Sequence, residues 1–184
     1  MSEVRKYFKK FNAIDLMTIA LFALLMRFVF YYIYRALYLV FPWNQMFFPI
    51  LGSMVTTIVL VMINKGGTYL FHHIAMWLIN LFLQGEDPIY AAGSIPGIIM
   101  AELILFVMWK FGSEITSYKS IIAALTVASL IGGYWNYWSL NYIFFIPYTF
   151  DKFLIVTALV LVVSNPVGLY IGKNLGTRLK AVVG

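Results

Sequence analysis

The chain contains no cysteine. Disulfides, thiolate metal sites and cysteine nucleophiles are therefore excluded. Charge is also scarce: seven Asp and Glu and thirteen Lys and Arg make up 11% of 184 residues. Soluble domains carry about a quarter charged residues, so this composition does not suit one. Histidine occurs only as the neighbours His72 and His73, too few without Cys for a dedicated metal site. HExxH, GxSxG and paired intramembrane Asp residues are absent, which removes the commonest hydrolytic signatures. The stretch GLYIGKN at 168–174 has three residues between its glycines and no Ser or Thr after the Lys. A phosphate loop needs four and a hydroxyl, so this stretch reads as a basic helix C-terminus. No enzyme, cofactor or metal is expected, and any ATP hydrolysis falls to partner subunits.

Hydrophobic residues are abundant, at 62% of the chain, and the mean hydropathy is +0.88. These values predict an all-α integral membrane protein, a single transmembrane domain over 1–184 containing a bundle of six transmembrane helices. Residues 1–12 form a basic lead-in. The apolar run that follows is too long for a cleavable signal, and no small-residue cleavage site follows it. The expected spans are 13–40, 50–63, 68–83, 97–111, 121–133 and 153–171. They are separated by FPWNQMFFP, NKGG, QGEDP with a loop or partial helix to Pro96, GSEITSYKS, and the aromatic stretch YWNYWSLNYIFFIPYTFDK. Proline and glycine punctuate these breaks. About 20 apolar residues cross a hydrocarbon core of about 30 Å, so the second and fourth spans look short.

Six spans would gather Arg5, Lys6, Lys9, Lys10, Lys65, Lys110, Lys119, Lys173, Arg178 and Lys180 on one side. Those are ten of the thirteen basic residues; Lys152 alone lies opposite, and Arg27 and Arg35 fall within the first span. The positive-inside rule then places both termini in the cytoplasm of a multi-pass cell-membrane protein. The basic ends serve topology and contact with lipid headgroups in the bilayer, and no nucleic-acid partner is implied.

Glu102 sits inside the fourth span with no other charge for at least seven residues on either side. An ionisable residue at such a position is a functional-site hypothesis by default. At about 1.5 Å per helical residue it lies roughly 12 Å below the outer surface, and Arg27 lies roughly 20 Å above the inner one. In a core of about 30 Å the two depths nearly coincide. Two roles stay open for Glu102: a structural ion pair with Arg27, or a polar anchor for a ligand. His72 and His73 point about 100° apart on a helix, so one of them, taken as His73, faces the helix interface as a structural or pocket partner.

The outward side is rich in aromatic and amide side chains. An interfacial aromatic belt explains the rings, but belts do not need Asn. A pocket that stacks and hydrogen-bonds a heteroaromatic ligand uses both. The candidate ligand contacts are Glu102, Trp43, Asn44, Asn80, Gln84, Trp135, Asn136, Trp138, Asn141 and Tyr148.

Residues 65–109 resemble the substrate-binding S components of energy-coupling factor (ECF) vitamin transporters, and among them the YkoE type for the thiamine precursor hydroxymethylpyrimidine. The likeness rests on the basic turn with Gly67, the short loop from Gly85 to Pro88, and AEL at Ala101 to Leu103 after small residues. The resemblance carries Glu102 over as a site residue. It departs at His73, where the family pattern has a carboxylate. For partner docking, the family has small residues four apart in the first span, whereas Ala20 and Ala23 are three apart. The resemblance implies vitamin capture from outside, under the loop between the first two spans. It also implies docking on a membrane coupling subunit with two ATPase subunits, whose ATP hydrolysis topples the S component. The alternative is a small structural subunit of a membrane complex without a ligand of its own.

Overall fold

The computed structural model describes residues 7–33, 47–83, 85 and 87–183. Every regular element among them is helical. Helix α1 spans Ala13–Leu24, where the expected first span begins, because Asn12 and Asp15 form a reciprocal capping box there. Each supplies a hydrogen bond of 2.8 Å to the other's backbone, satisfying donors that a helix start leaves orphaned. The helix continues through a wide π turn at Leu25–Phe30. Helices α2, Phe47–Ile63, and α3, Thr68–Leu83, form an antiparallel pair. Their four-residue link takes left-handed backbone at Asn64 and Gly67; Gly accepts that conformation without steric cost.

A short α4, Pro88–Ala92, leads into α5, Ser94–Lys110. Pro96 is tolerated because the N–H groups of a first helical turn lack partners in any case. Helix α6, Tyr118–Tyr142, is 25 residues long and is started by the Ser117 side chain. The aromatic stretch expected to follow the fifth span therefore continues that span up to Tyr142. No proline interrupts the chain between Gly133 and Tyr142, so the helix is free to continue through the aromatic residues.

The expected sixth span is likewise longer. Helix α7, Phe150–Leu159, passes through a second π turn, Val160–Ser164, into α8, Asn165–Val183. Pro166 cannot donate and would crowd the carbonyl four residues earlier. The i→i+5 spacing of a π turn relieves that conflict. The GLYIGKN stretch, expected as a helix C-terminus, is helical but lies in the first half of α8, which continues to Val183. Gly168 and Gly172 pack against α2, where an added Cβ would come within 2.5 Å of the Ile50 carbonyl and 2.4 Å of the Met54 carbonyl. The backbones of α2 and α8 thus run in direct contact, as small residues four apart permit.

One end of the bundle, the turn end, carries Tyr7, the α2–α3 link and the second half of α8. There Lys180 donates to the Val61 carbonyl at 3.4 Å, and Lys65 pairs with Asp15. The far end carries 87–93 and 143–149. Two continuous helices are long and apolar enough to cross a membrane, Ala13–Ile33 and Phe150–Val182; Phe48–Ile63 and Thr68–Leu83 are shorter apolar helices. The outer faces are apolar: Met17, Phe82 and Val162 are each more than 70% exposed. The interior holds polar groups, among them Ser53, Thr56, Thr57, His72, Asn80, Glu102 and Asn165.

A cavity between the helices as the candidate functional site

Small residues open the middle of the bundle. Gly52 on α2, Gly97 on α5, and Ala128 and Gly132 on α6 leave a cavity of about 230 Å³. Gly97 also lets α5 approach α6, with an added Cβ only 3.2 Å from the Ala128 carbonyl. The mouth lies toward the far end, at Pro49, Ser94, Gly132 and Val160, and the floor consists of Tyr69, Ile98 and Leu125.

Polar side chains from four elements meet in this cavity. Ser53 donates to Asn165 Oδ1 at 2.7 Å, and Asn165 Nδ2 donates to Ser129 Oγ at 3.0 Å. Thr56 Oγ1 lies 3.4 Å from His73 Nε2. The His73 ring stacks on Tyr69 with centroids 4.2 Å apart. The π turn places Asn165: Val160 and Asn165, five residues apart, both face the cavity, which a regular α-helix would not allow. All these polar groups are uncharged when His73 is neutral, and between them they offer both donors and acceptors.

Glu102 lies beyond the cavity floor. Its Oε1 accepts from the Tyr7 hydroxyl at 2.6 Å and from the Gly67 N–H at 2.7 Å. Its Oε2 accepts from the Leu70 N–H at 3.1 Å. The carboxylate therefore serves as acceptor throughout and caps the N-terminus of α3 from a neighbouring helix. The orphan N–H groups and the positive end of the helix dipole make that a natural place for an anion. Burial first, and then the adjacent Glu102 charge, raise the pKa of the Tyr7 phenol, so it remains a neutral donor.

The expected partner Arg27 is not among the donors on Glu102. It sits in the π turn that continues α1, the helix that packs against α3. Depth alone brought Arg27 and Glu102 together in the sequence; in the structure Glu102 sits at the turn end against Gly67 and Leu70, while Arg27 lies twelve residues along the first helix from Asp15, which pairs with Lys65 at that end. A second groove, of about 320 Å³, touches Glu102 but is otherwise lined by Phe8, Leu70, Ile99, Leu103 and Phe106.

The remaining candidates divide. His73 lines the cavity. Trp135 lies one turn beyond the cavity-lining Gly132. Its indole fills the notch left by Gly93, where an added Cβ would overlap it at 1.7 Å, and its Nε1 is buried without a hydrogen-bond partner. Trp138 packs beside it at 5.2 Å. Asn141 is used in shaping the loop: Nδ2 donates to the Tyr137 and Tyr148 carbonyls, both at 2.8 Å, and Oδ1 accepts from the Tyr148 N–H at 3.1 Å. Tyr148 is therefore part of that clamp, and burial raises its phenol pKa. Asn136 is exposed. Asn80 is buried with its Oδ1 unpartnered, away from the cavity lining.

Trp43, Asn44 and Gln84 lie outside the described residues. Ala23 is wholly buried in a cluster with Met26, Val55 and Met76, while Ala20 is exposed, so the two do not form one exposed notch. Among the described residues no three His, Asp or Glu side chains converge to hold a metal.

Sequence reasoning missed Ser53, Thr56, Tyr69, Ser129 and Asn165. One signal was present: Ser53, Thr56 and Thr57 recur at helical spacing within an apolar run. No protein-family model, curated protein or solved structure matches the chain, so a functional reading rests on these residues themselves.

Proposed function

We propose that the chain is the membrane-embedded binding subunit of an ECF-type importer, and that its central cavity captures a small uncharged heteroaromatic molecule of the vitamin-precursor class. The observation that carries this reading is a cavity of about 230 Å³ whose largely apolar lining carries a few uncharged donors and acceptors, inside a bundle whose outer faces are apolar. An apolar exterior suits lipid, where backbone polar groups are satisfied within helices. Interior polar groups then mark a ligand path.

Helices α2, α3 and α5, with 17, 16 and 17 residues, reach about 24–26 Å each at about 1.5 Å per residue, close to a core of about 30 Å. In this reading α1, α2, α3, α5, α6 and the α7–α8 helix cross the membrane, and the turn end faces the cytoplasm. A ligand enters from the far end past Trp135. Asn165 offers an acceptor and a donor side by side, the complement of an amino group next to a ring nitrogen. A membrane coupling subunit and two ATPase subunits would supply the energy for release.

The cavity also sets a limit on charge. Glu102 is engaged elsewhere, so a cation entering would lack a counter-ion, and burying an unpaired charge is costly. An uncharged aminopyrimidine is therefore preferred over thiamine, its cationic relative. Calorimetric titration with hydroxymethylpyrimidine and with thiamine tests this. Asn165→Leu is expected to weaken pyrimidine binding by about tenfold or more through the loss of buried hydrogen bonds. Purified wild-type protein that binds neither compound, and carries no small molecule in native mass spectrometry, would remove the reading.

A further inference from the structure

We infer that the segment ahead of α1 is a latch, in which Tyr7 closes the turn end of the bundle and its withdrawal opens the cavity floor to that side. Tyr7 is 1% exposed, although it precedes the first helix of the bundle. Its ring covers Gly66, where an added Cβ would lie 2.4 Å from it, so the socket exists because that residue has no side chain. Phe106 and Trp109 flank the ring at 5.1 and 5.4 Å. Its hydroxyl donates to Glu102 at 2.6 Å.

The socket adjoins the cavity. Tyr69, Ile98 and Leu125 form the cavity floor and also belong to the apolar cluster that contains Tyr7. That cluster is the barrier between the cavity and the turn end. Most of its members sit on bundle helices, and Ile115 sits in the link between α5 and α6. Tyr7 sits on the segment before α1, so it can leave without any bundle helix bending. Segment 7–12 is also held by Lys65, which donates to the Lys10 carbonyl at 3.3 Å, and by Phe11, whose ring meets Phe71 at 5.1 Å.

Glu102 couples the latch to the floor. One carboxylate accepts from Tyr7 and from the first turn of α3, at Gly67 and Leu70. Tyr69 lies between those two residues. Withdrawal of Tyr7 removes a charge-assisted hydrogen bond from Glu102 and an aromatic ring from the barrier. Both losses loosen the turn that carries Tyr69.

The absence of cysteine makes the test direct. Ser129→Cys places the sole thiol on the cavity wall. The protein is reconstituted in vesicles, and a membrane-impermeant maleimide is added on the side of the N-terminal segment or on the opposite side. In the otherwise unchanged chain, labelling from the N-terminal side is expected to be slow. Adding Tyr7→Ala should accelerate it by well over tenfold, because it removes the ring as well as a charge-assisted hydrogen bond worth about tenfold by itself, with little change from the opposite side. Tyr7→Phe keeps the ring and loses the hydroxyl; it should give an intermediate rate, and it guards against collapse of the alanine variant. Unchanged rates in both variants overturn the latch. So does equal acceleration from both sides in Tyr7→Phe as in Tyr7→Ala, because that pattern marks general loosening of the bundle. No ligand enters the experiment, so its outcome is independent of what the cavity binds.

Discussion

Glu102 stands out in the sequence, and in the structure it is engaged in the fold. Its isolation among apolar neighbours marked it from the sequence. Its three donors make it the cap of α3. Glu102→Gln keeps the shape and one acceptor oxygen but removes the charge. The expected result is a loss of about 1.5–3 kcal/mol in stability, the range for hydrogen bonds to charged groups. Amide hydrogen exchange should rise at Gly67 to Leu70, while affinity for an uncharged pyrimidine stays near wild type. Melting temperature, exchange and titration on one preparation check this. A variant of normal stability that no longer binds would instead make Glu102 a ligand contact. Asn165 is the reverse case. Nothing in the sequence distinguishes it from the other asparagines, since its orientation depends on the π turn before it.

At the scale of elements, the contact between α2 and α8 depends on glycines whose missing side chains admit a backbone. Gly172→Ala puts a methyl group 2.4 Å from the Met54 carbonyl, and overpacking of that kind typically costs about 1–3 kcal/mol. Gly132→Ala is the control: no atom lies within 4 Å of its added Cβ. It should gain up to about 1 kcal/mol from helix propensity while narrowing the cavity. Thermal unfolding in detergent should lower the midpoint for the first variant and hold or raise it for the second; equal behaviour would mean that the two helices separate easily. The 168, 172, 176 spacing was legible in the sequence, but its partner helix was not. The extent of α6 was misjudged because aromatic residues at an expected membrane boundary look like a belt and Gly132 and Gly133 look like a break, whereas the helix carries both glycines in its interior and runs on to Tyr142.

For the whole molecule, the outward apolar faces and the uneven distribution of basic residues support the proposal of a bundle standing in a bilayer. The proposed topology of six crossings with both termini cytoplasmic is tested by Gly184→Cys, again a sole thiol. An impermeant reagent applied to intact cells should leave it unlabelled and should label it after permeabilisation. Labelling of intact cells would refute the topology. In this arrangement Lys65, Lys110, Lys119 and Lys180 all lie at the turn end, beside the Tyr7 latch.

Composition and hydropathy pattern by themselves determined the helical class, the positions of most helix starts and turns, and the unusual status of Glu102. These properties depend on residues near one another in the chain: caps, breakers and apolar runs. The tertiary structure alone decided which way each polar side chain faces. Arg27 and Glu102, matched in depth by the sequence, lie at different levels: Glu102 sits at the turn end against Gly67, and Arg27 lies twelve residues along the first helix from Asp15, which pairs with Lys65 at that end. Ser53, Ser129 and Asn165 are separated by up to 112 residues and share one hydrogen-bonded cluster. Meetings of this kind are set by helix rotation, by the glycine notches that fix how closely helices approach, and by π turns that reset the helical phase, so they appear only once the helices are packed.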